Sequence, residues 1–90
     1  MASITKEQTA EIVAKFGDGP NDTGSPAVQI ALLTARIQHL AGHIKEHRQD
    51  LHNRRGLVMM VGRRNRLLRY LQRTDRERYL ATIQALGLRK

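Results

Sequence analysis

The sequence contains no cysteine among its 90 residues and only three aromatic side chains, Phe16, Tyr70 and Tyr79. Without cysteine there is no disulfide framework, no thiolate metal site and no thiol nucleophile. Nothing marks an oxidising compartment, so a reduced cytoplasmic setting is expected. No apolar run approaches the roughly 18 residues that a membrane span needs. Residues 1–7 lack the charged and apolar regions of a signal peptide, and Glu7 and Glu11 are unlike an organellar transit segment, so the chain is expected to stay where it is made. Serine is limited to Ser3 and Ser25, and there is no glycine-rich phosphate loop. Asp18-Gly19-Pro20 and Asp22-Thr23-Gly24 lack the alternating carboxylates and terminal glutamate of a calcium loop. These absences leave no basis for an enzyme or a cofactor.

Carboxylates are scarce too: eight Asp and Glu stand against sixteen Lys and Arg, a net charge of +8. The imbalance is confined to one half. Residues 1–45 hold four basic and four acidic side chains, whereas residues 46–90 hold twelve basic and four acidic, and eleven of the twelve are arginine. Arginine offers a planar fork of donors that suits phosphate and base edges better than the lysine ammonium does. A chain of 90 residues makes one domain, 1–90. At this size folding removes only about 60–65% of the unfolded surface, so the margin of stability is thin.

The apolar pattern is helical throughout, without a convincing strand, and predicts an all-α fold of four helices. Thr5 and Gln8 form a capping-box pair opening a first helix over roughly 5–16. Gly17 stands where a left-handed residue usually ends a helix. Residues 17–25 are all loop formers, a long connection for so small a domain. Ser25-Pro26 then marks a second start, an N-cap hydroxyl followed by proline at the first helical position. Ile30, Leu33, Ile37, Leu40 and Ile44 step by three and four into one continuous seam. The seam pauses over 47–53, where Asp50 or Asn53 can cap a third helix. That helix carries Leu57, Met60, Val61, Leu67, Leu68 and Leu71 on its apolar side, with Arg63, Arg64, Arg66, Arg69 and Arg73 elsewhere. Thr74-Asp75-Arg76-Glu77 reads as a second capping box, Leu80, Ile83 and Leu86 as the stripe of a short fourth helix, and Gly87 as its end. The second and third helices are long and joined by a short turn, so they should lie antiparallel with seams facing and arginines outward.

His39, His43 and His47 share one helix face at i, i+4 and i+8. An i, i+4 pair can grip zinc, but one straight helix cannot wrap three ligands tetrahedrally around an ion, and i to i+8 spans about 12 Å. A fourth ligand would have to come from Asp50 or His52. A solvated polar face or a nucleic-acid contact explains the histidines without metal, and no metal site is expected. Charge concentrated on one helix and its flanks is the footprint of nucleic-acid binding. The competing explanations are a solvated face, a surface for acidic proteins and a membrane surface. Membrane binding needs an exposed apolar face, and here the stripes are consumed by helix packing. A DNA-binding architectural or regulatory protein needs a groove-reading helix at a steep angle, a shape that two long antiparallel helices do not offer. RNA junctions are recognised by shape, through sugar and phosphate contacts with polar loops and some stacking. The 17–25 loop, the 47–53 turn and Tyr70 would serve that mode. Tyr70 could equally be a half-buried core residue with its hydroxyl at the surface.

Several of these segments occur together in one known family. Asn21-Asp22-Thr23-Gly24-Ser25, Val28-Gln29-Ile30-Ala31-Leu32-Leu33-Thr34, Arg54-Arg55-Gly56-Leu57, Met60-Val61, Arg66-Leu67-Leu68-Arg69-Tyr70-Leu71, Arg78-Tyr79 and Leu86-Gly87-Leu88-Arg89 closely resemble the bacterial small-subunit ribosomal protein S15 (uS15) family, in order and over essentially the whole chain. The resemblance implies a four-helix RNA-binding protein, monomeric when free, that joins small-subunit ribosomal RNA early and fixes a three-way junction in its central domain. Later platform ribosomal proteins then assemble, and the large-subunit RNA is reached at an intersubunit bridge. Carried over by position, the junction contacts fall on Thr23, Gly24, Gln29, Arg36 and Tyr70. A minor-groove contact to a G–U/G–C element falls on His43, Asp50 and Asn53. Arg64 and Arg73 are expected to contact RNA backbone. The chain departs from the family at Asp50-Leu51-His52-Asn53, commonly Asp-His-His-Ser, and at Pro26-Ala27, commonly Thr-Glu. Asn53 can still donate and accept a hydrogen bond, so a minor-groove contact with altered geometry is expected.

Overall fold

The computed structural model describes residues 5–19, 24–46 and 51–88. They form α1 (Lys6–Phe16), α2 (Pro26–Glu46), α3 (Leu51–Thr74) and α4 (Arg76–Leu86), with no strand among the described residues. The four-helix, all-α expectation therefore holds. A helix of α3's length measures about 36 Å at 1.5 Å per residue, so α3 alone accounts for most of the 40 Å long axis of the molecule.

Local chemistry sets most of the helix ends. Gln8 N–H donates to Thr5 Oγ1 at 3.1 Å, and Thr5 N–H donates to Gln8 Oε1 at 3.0 Å, which closes the capping box. Glu7 in the first turn and Lys15 in the last complement the helix dipole. Gly17 ends α1, but not in the left-handed conformation the sequence suggests. Its φ of −93° and ψ of 169° are extended. A left-handed turn would use backbone N–H groups to satisfy the last carbonyls, whereas here Arg78 of α4 reaches the Phe16 carbonyl. Gly87 does adopt φ +69°, with Gly87 N–H donating to the Gln84 carbonyl and Leu88 N–H to the Ile83 carbonyl. This is a Schellman end, and it brings Leu88 back beside Ile83 against the core.

The expected seam of α2 is present and wider than predicted. Ile30, Leu33 and Leu40 are buried and Ile37 and Ile44 half-buried, but Ala27, Val28, Ala31 and Thr34 are buried as well. The first half of α2 is covered on several sides, because α1, α3 and α4 all pack on this helix. Thr34 is tolerated inside because its hydroxyl donates to the Ile30 carbonyl at 2.8 Å. Ala27 and Ile30 share one cluster with Leu68 and Leu71, while Leu40 Cδ2 lies 3.9 Å from where a Cβ on Gly56 would stand. Early residues of α2 thus face late residues of α3 and the reverse, which makes the pair antiparallel as expected.

Three expectations need correction. The cap of α4 is Asp75, whose Oδ1 accepts from Arg78 N–H at 3.1 Å, not Thr74. Thr74 is still helical in α3 and donates its hydroxyl to the Tyr70 carbonyl at 3.0 Å. The buried face of α4 consists of Tyr79 and Thr82 with Ile83 and Leu86, and Leu80 is 45% exposed. Tyr79 brings more apolar area to the core than Leu80 could, and the Thr82 hydroxyl is satisfied by the Arg78 carbonyl at 2.7 Å. Finally, Asn53 lies inside the first turn of α3 and does not cap it, whereas Asp50 lies outside the described residues.

These assignments can be checked by thermal and urea unfolding. Leu40→Ala, deep in the α2–α3 seam, should cost about 2–5 kcal/mol through loss of burial and cavity formation. Leu80→Ala should stay within about 0.5 kcal/mol, as substitutions of exposed side chains do. Equal costs would place Leu80 in the core after all.

Candidate nucleic-acid interface

Helix α3 carries Arg54, Arg55, Arg63, Arg64, Arg66, Arg69 and Arg73 and no acidic residue. All but Arg64 are exposed, and none of the six exposed ones pairs with a carboxylate among the described residues. Arg63, Arg66, Arg69 and Arg73 follow one another at helical spacings of three, three and four, so their charges line one continuous stripe. Such a stripe concentrates positive potential where a phosphate backbone can neutralise it. Arg64 departs from the expected outward placement: it is half-buried, and its Nε is enclosed without a hydrogen-bond partner. Any phosphate contact from Arg64 has to use its terminal nitrogens.

The junction residues named from the sequence can be placed in turn. Gln29 Nε2 donates to the Gly24 carbonyl at 3.2 Å, so these two are brought together at the start of α2. Gln29, Arg36 and His43 are spaced by seven, two turns each, and therefore run down one side of α2. On α3 the residues spaced by seven are Gly56, Arg63 and Tyr70. A groove between the two helices is lined by Leu33, Arg36 and Leu40 from α2 and by Asn53, Gly56 and Arg63 from α3, which puts both series on the same side of the hairpin. The antiparallel register then sets Tyr70 level with Gln29, Arg63 level with Arg36 and Gly56 level with His43. Thr23 lies outside the described residues.

Tyr70 is 48% exposed and Tyr79 only 5%, so the open question about Tyr70 resolves toward the surface. Its ring stands between Arg63 and Arg66 around the helix, available to stack while arginines flank it. The second set occupies the other end of the hairpin. His43 is half-buried in the last turns of α2 and Asn53 is half-buried in the first turn of α3, with Asp50 outside the described residues. From Gln29 to His43 the rise along α2 is about 21 Å, so the two sets are far enough apart to touch different parts of one folded RNA. Sequence reasoning missed Arg63 as a groove residue. The available signal was its sevenfold spacing from Tyr70, which becomes informative only once the helix pairing is known.

Among the described residues no three His, Cys, Asp or Glu side chains gather to hold a metal ion, and His47 lies outside them. No described helix is long and apolar enough to cross a membrane. The sequence model of the family described as Ribosomal protein S15 matches residues 9–89. The chain belongs to the ribosomal protein S15 family. It is 59% identical over 88 residues to the small ribosomal subunit protein uS15 of Alkalilimnicola ehrlichii, covering 98% of this chain and 99% of that one. The uS15 proteins of Shewanella loihica, at 59% identity, and Shewanella woodyi, at 58%, match with the same coverage. Membership makes this an all-α protein of the small ribosomal subunit, and the arginine stripe and hairpin edge are the S15 surfaces of this chain most suited to RNA.

Arg73→Ala should weaken binding to every RNA alike and lower the slope of log affinity against log salt by about one. Arg64→Ala should instead lower the unfolding temperature, because the packed stem of the side chain is lost. Salt titrations of both variants, with thermal melts, separate the two roles. An unchanged slope for Arg73→Ala would make that residue a solvated charge only.

Proposed function

We propose that the chain acts by binding rather than catalysis, joining the central domain of small-subunit ribosomal RNA at a three-way junction and so preparing the platform for neighbouring proteins. The observation that carries the reading is the alignment of Gln29, Arg36 and Tyr70 on one edge of the α2–α3 hairpin, with Gly24 held to Gln29. A junction presents phosphates and sugars from several helices at once, and its recognition is a matter of matching shape. A rigid edge that carries an amide, a guanidinium and an exposed ring suits that task. Thr23 and Gly24 allow close approach of backbone to sugar and phosphate. His43, Asp50 and Asn53 at the turn end supply donors and acceptors for a G–U/G–C element in a minor groove, and Asp50 near an RNA backbone makes sense only with a donor partner such as a base amine or a 2′-hydroxyl. The protein works in the cytoplasm as part of the small subunit, and its exposed end reaches large-subunit RNA at an intersubunit bridge.

The test is a titration at two salt concentrations with a small RNA three-way junction that carries the G–U/G–C element, against duplex DNA of equal phosphate count as competitor. Junction binding that survives excess DNA supports shape reading. Equal and steeply salt-dependent binding to both would mean that the +8 charge acts alone. On the same RNA, Asp50→Ala should reduce discrimination against an altered G–U element more than it reduces general affinity, and equal losses on both RNAs would remove Asp50 from the minor-groove contact.

A further inference from the structure

The connection between α1 and α2 is tied at both ends by side chains from elsewhere in the fold. Near its start, Arg78 of α4 sends Nη2 to the Phe16 carbonyl at 2.9 Å and to Asp18 Oδ1 at 3.3 Å. At its far end, Gln29 Nε2 donates to the Gly24 carbonyl at 3.2 Å. Arg78 is separated from its acceptors by 62 and 60 residues, so the first tie is tertiary and not a local cap. The Phe16 carbonyl is among those at the end of α1 without a helical partner, and Gly17 leaves in extended conformation. Arg78 is well placed to supply a donor there. Its own N–H is held by Asp75, and its carbonyl accepts from Thr82.

The two acceptors are unequal. The Asp18 side chain is 79% exposed and that of Arg78 34%, so the ion pair is mostly solvated and weak. The bond to the Phe16 carbonyl is partly buried and therefore carries the attachment. Lysine could supply the charge at this position but not the planar fork that reaches both oxygens.

We propose that Arg78 is a positioning residue for RNA recognition, fixing the α1 end of this connection while Gln29 fixes the Gly24 end. The proposal rests on the junction reading, in which Gly24 and Gln29 belong to the recognising edge and Arg78 does not. A chain tied at both ends has fewer conformations to lose when RNA binds than one tied at a single end. Removing Arg78 then lowers affinity for a shaped RNA although no contact to RNA has been deleted.

The experiment compares the full-length chain with R78A, R78K and D18N, each titrated at two salt concentrations with a synthetic RNA three-way junction and with a plain RNA duplex of equal phosphate count. R78A should weaken junction binding about tenfold, the scale of one hydrogen bond to a charged group. Its duplex affinity and salt slope should stay near those of the unmutated chain. R78K should recover only part of the loss, and D18N should change little. Hydrogen exchange supplies the structural control: α1 amides should exchange faster in R78A while protection in α2 and α3 is unchanged. Equal losses on both RNAs, with a slope shallower by about one, would make Arg78 a phosphate ligand and overturn the proposal. Undiminished junction binding by R78A would overturn it as well. If R78A loses its helical content, R78K decides alone, a selective junction loss supporting the proposal and full affinity overturning it. An unmutated chain without preference for the junction would overturn the junction reading and this inference together, an outcome that the unmutated arm identifies by itself.

Discussion

The register between α2 and α3 is the constraint on which the other features depend. Leu40 against Gly56 at one end, and Ala27 and Ile30 clustered with Leu68 and Leu71 at the other, allow the hairpin one alignment. A shift of either helix by one residue would rotate its apolar side by about 100° away from its partner, so the packing resists slippage. The same alignment puts Tyr70 beside the level of Gln29 and Arg63 beside that of Arg36. Residues distant in sequence thus form one edge because apolar side chains that never touch RNA hold them in step.

Stability and recognition also meet in how few residues make the core. The fully buried large side chains are Ile30, Leu40 and Val28, and all belong to α2. That helix is the central post, covered by α3 along its length and by α1 and α4 near its start. With α2 enclosed in this way, α3 turns most of its circumference to solvent and can devote it to arginine. The division of labour explains why the excess charge of the chain falls in its second half. A helix that supplied the core from all sides could not also present a stripe of cations.

What could be read in the sequence was what local chemistry decides. Thr5 with Gln8, the start at Pro26 and the left-handed Gly87 all follow from groups within a few residues of one another. What could not be read depended on a partner from elsewhere. The end of α1 looked like a left-handed glycine turn because nothing near Gly17 announces Arg78. The stripe of α4 was placed on Leu80 because hydrophobicity alone ranks leucine above threonine, whereas the buried Thr82 is satisfied by a carbonyl four residues back. Arg64 looked like its neighbouring arginines, and only the position of α2 turns it inward. The candidate junction set was legible through family resemblance, whereas its gathering on one edge required the pairing of the helices.

The stripe of Arg63, Arg66, Arg69 and Arg73 has a second side. Like charges three and four residues apart on a helix repel, and each such pair opposes helix formation by a few tenths of a kcal/mol. Screening ions relieve this repulsion, as they relieve the self-repulsion of any strongly charged fold. Those same ions compete with the arginines for phosphate. Electrolyte therefore acts on this chain with opposite signs, hardening the unbound protein while loosening its grip on RNA. RNA can itself take the place of that electrolyte, so the partner that the arginines attract also quiets the strain their crowding creates.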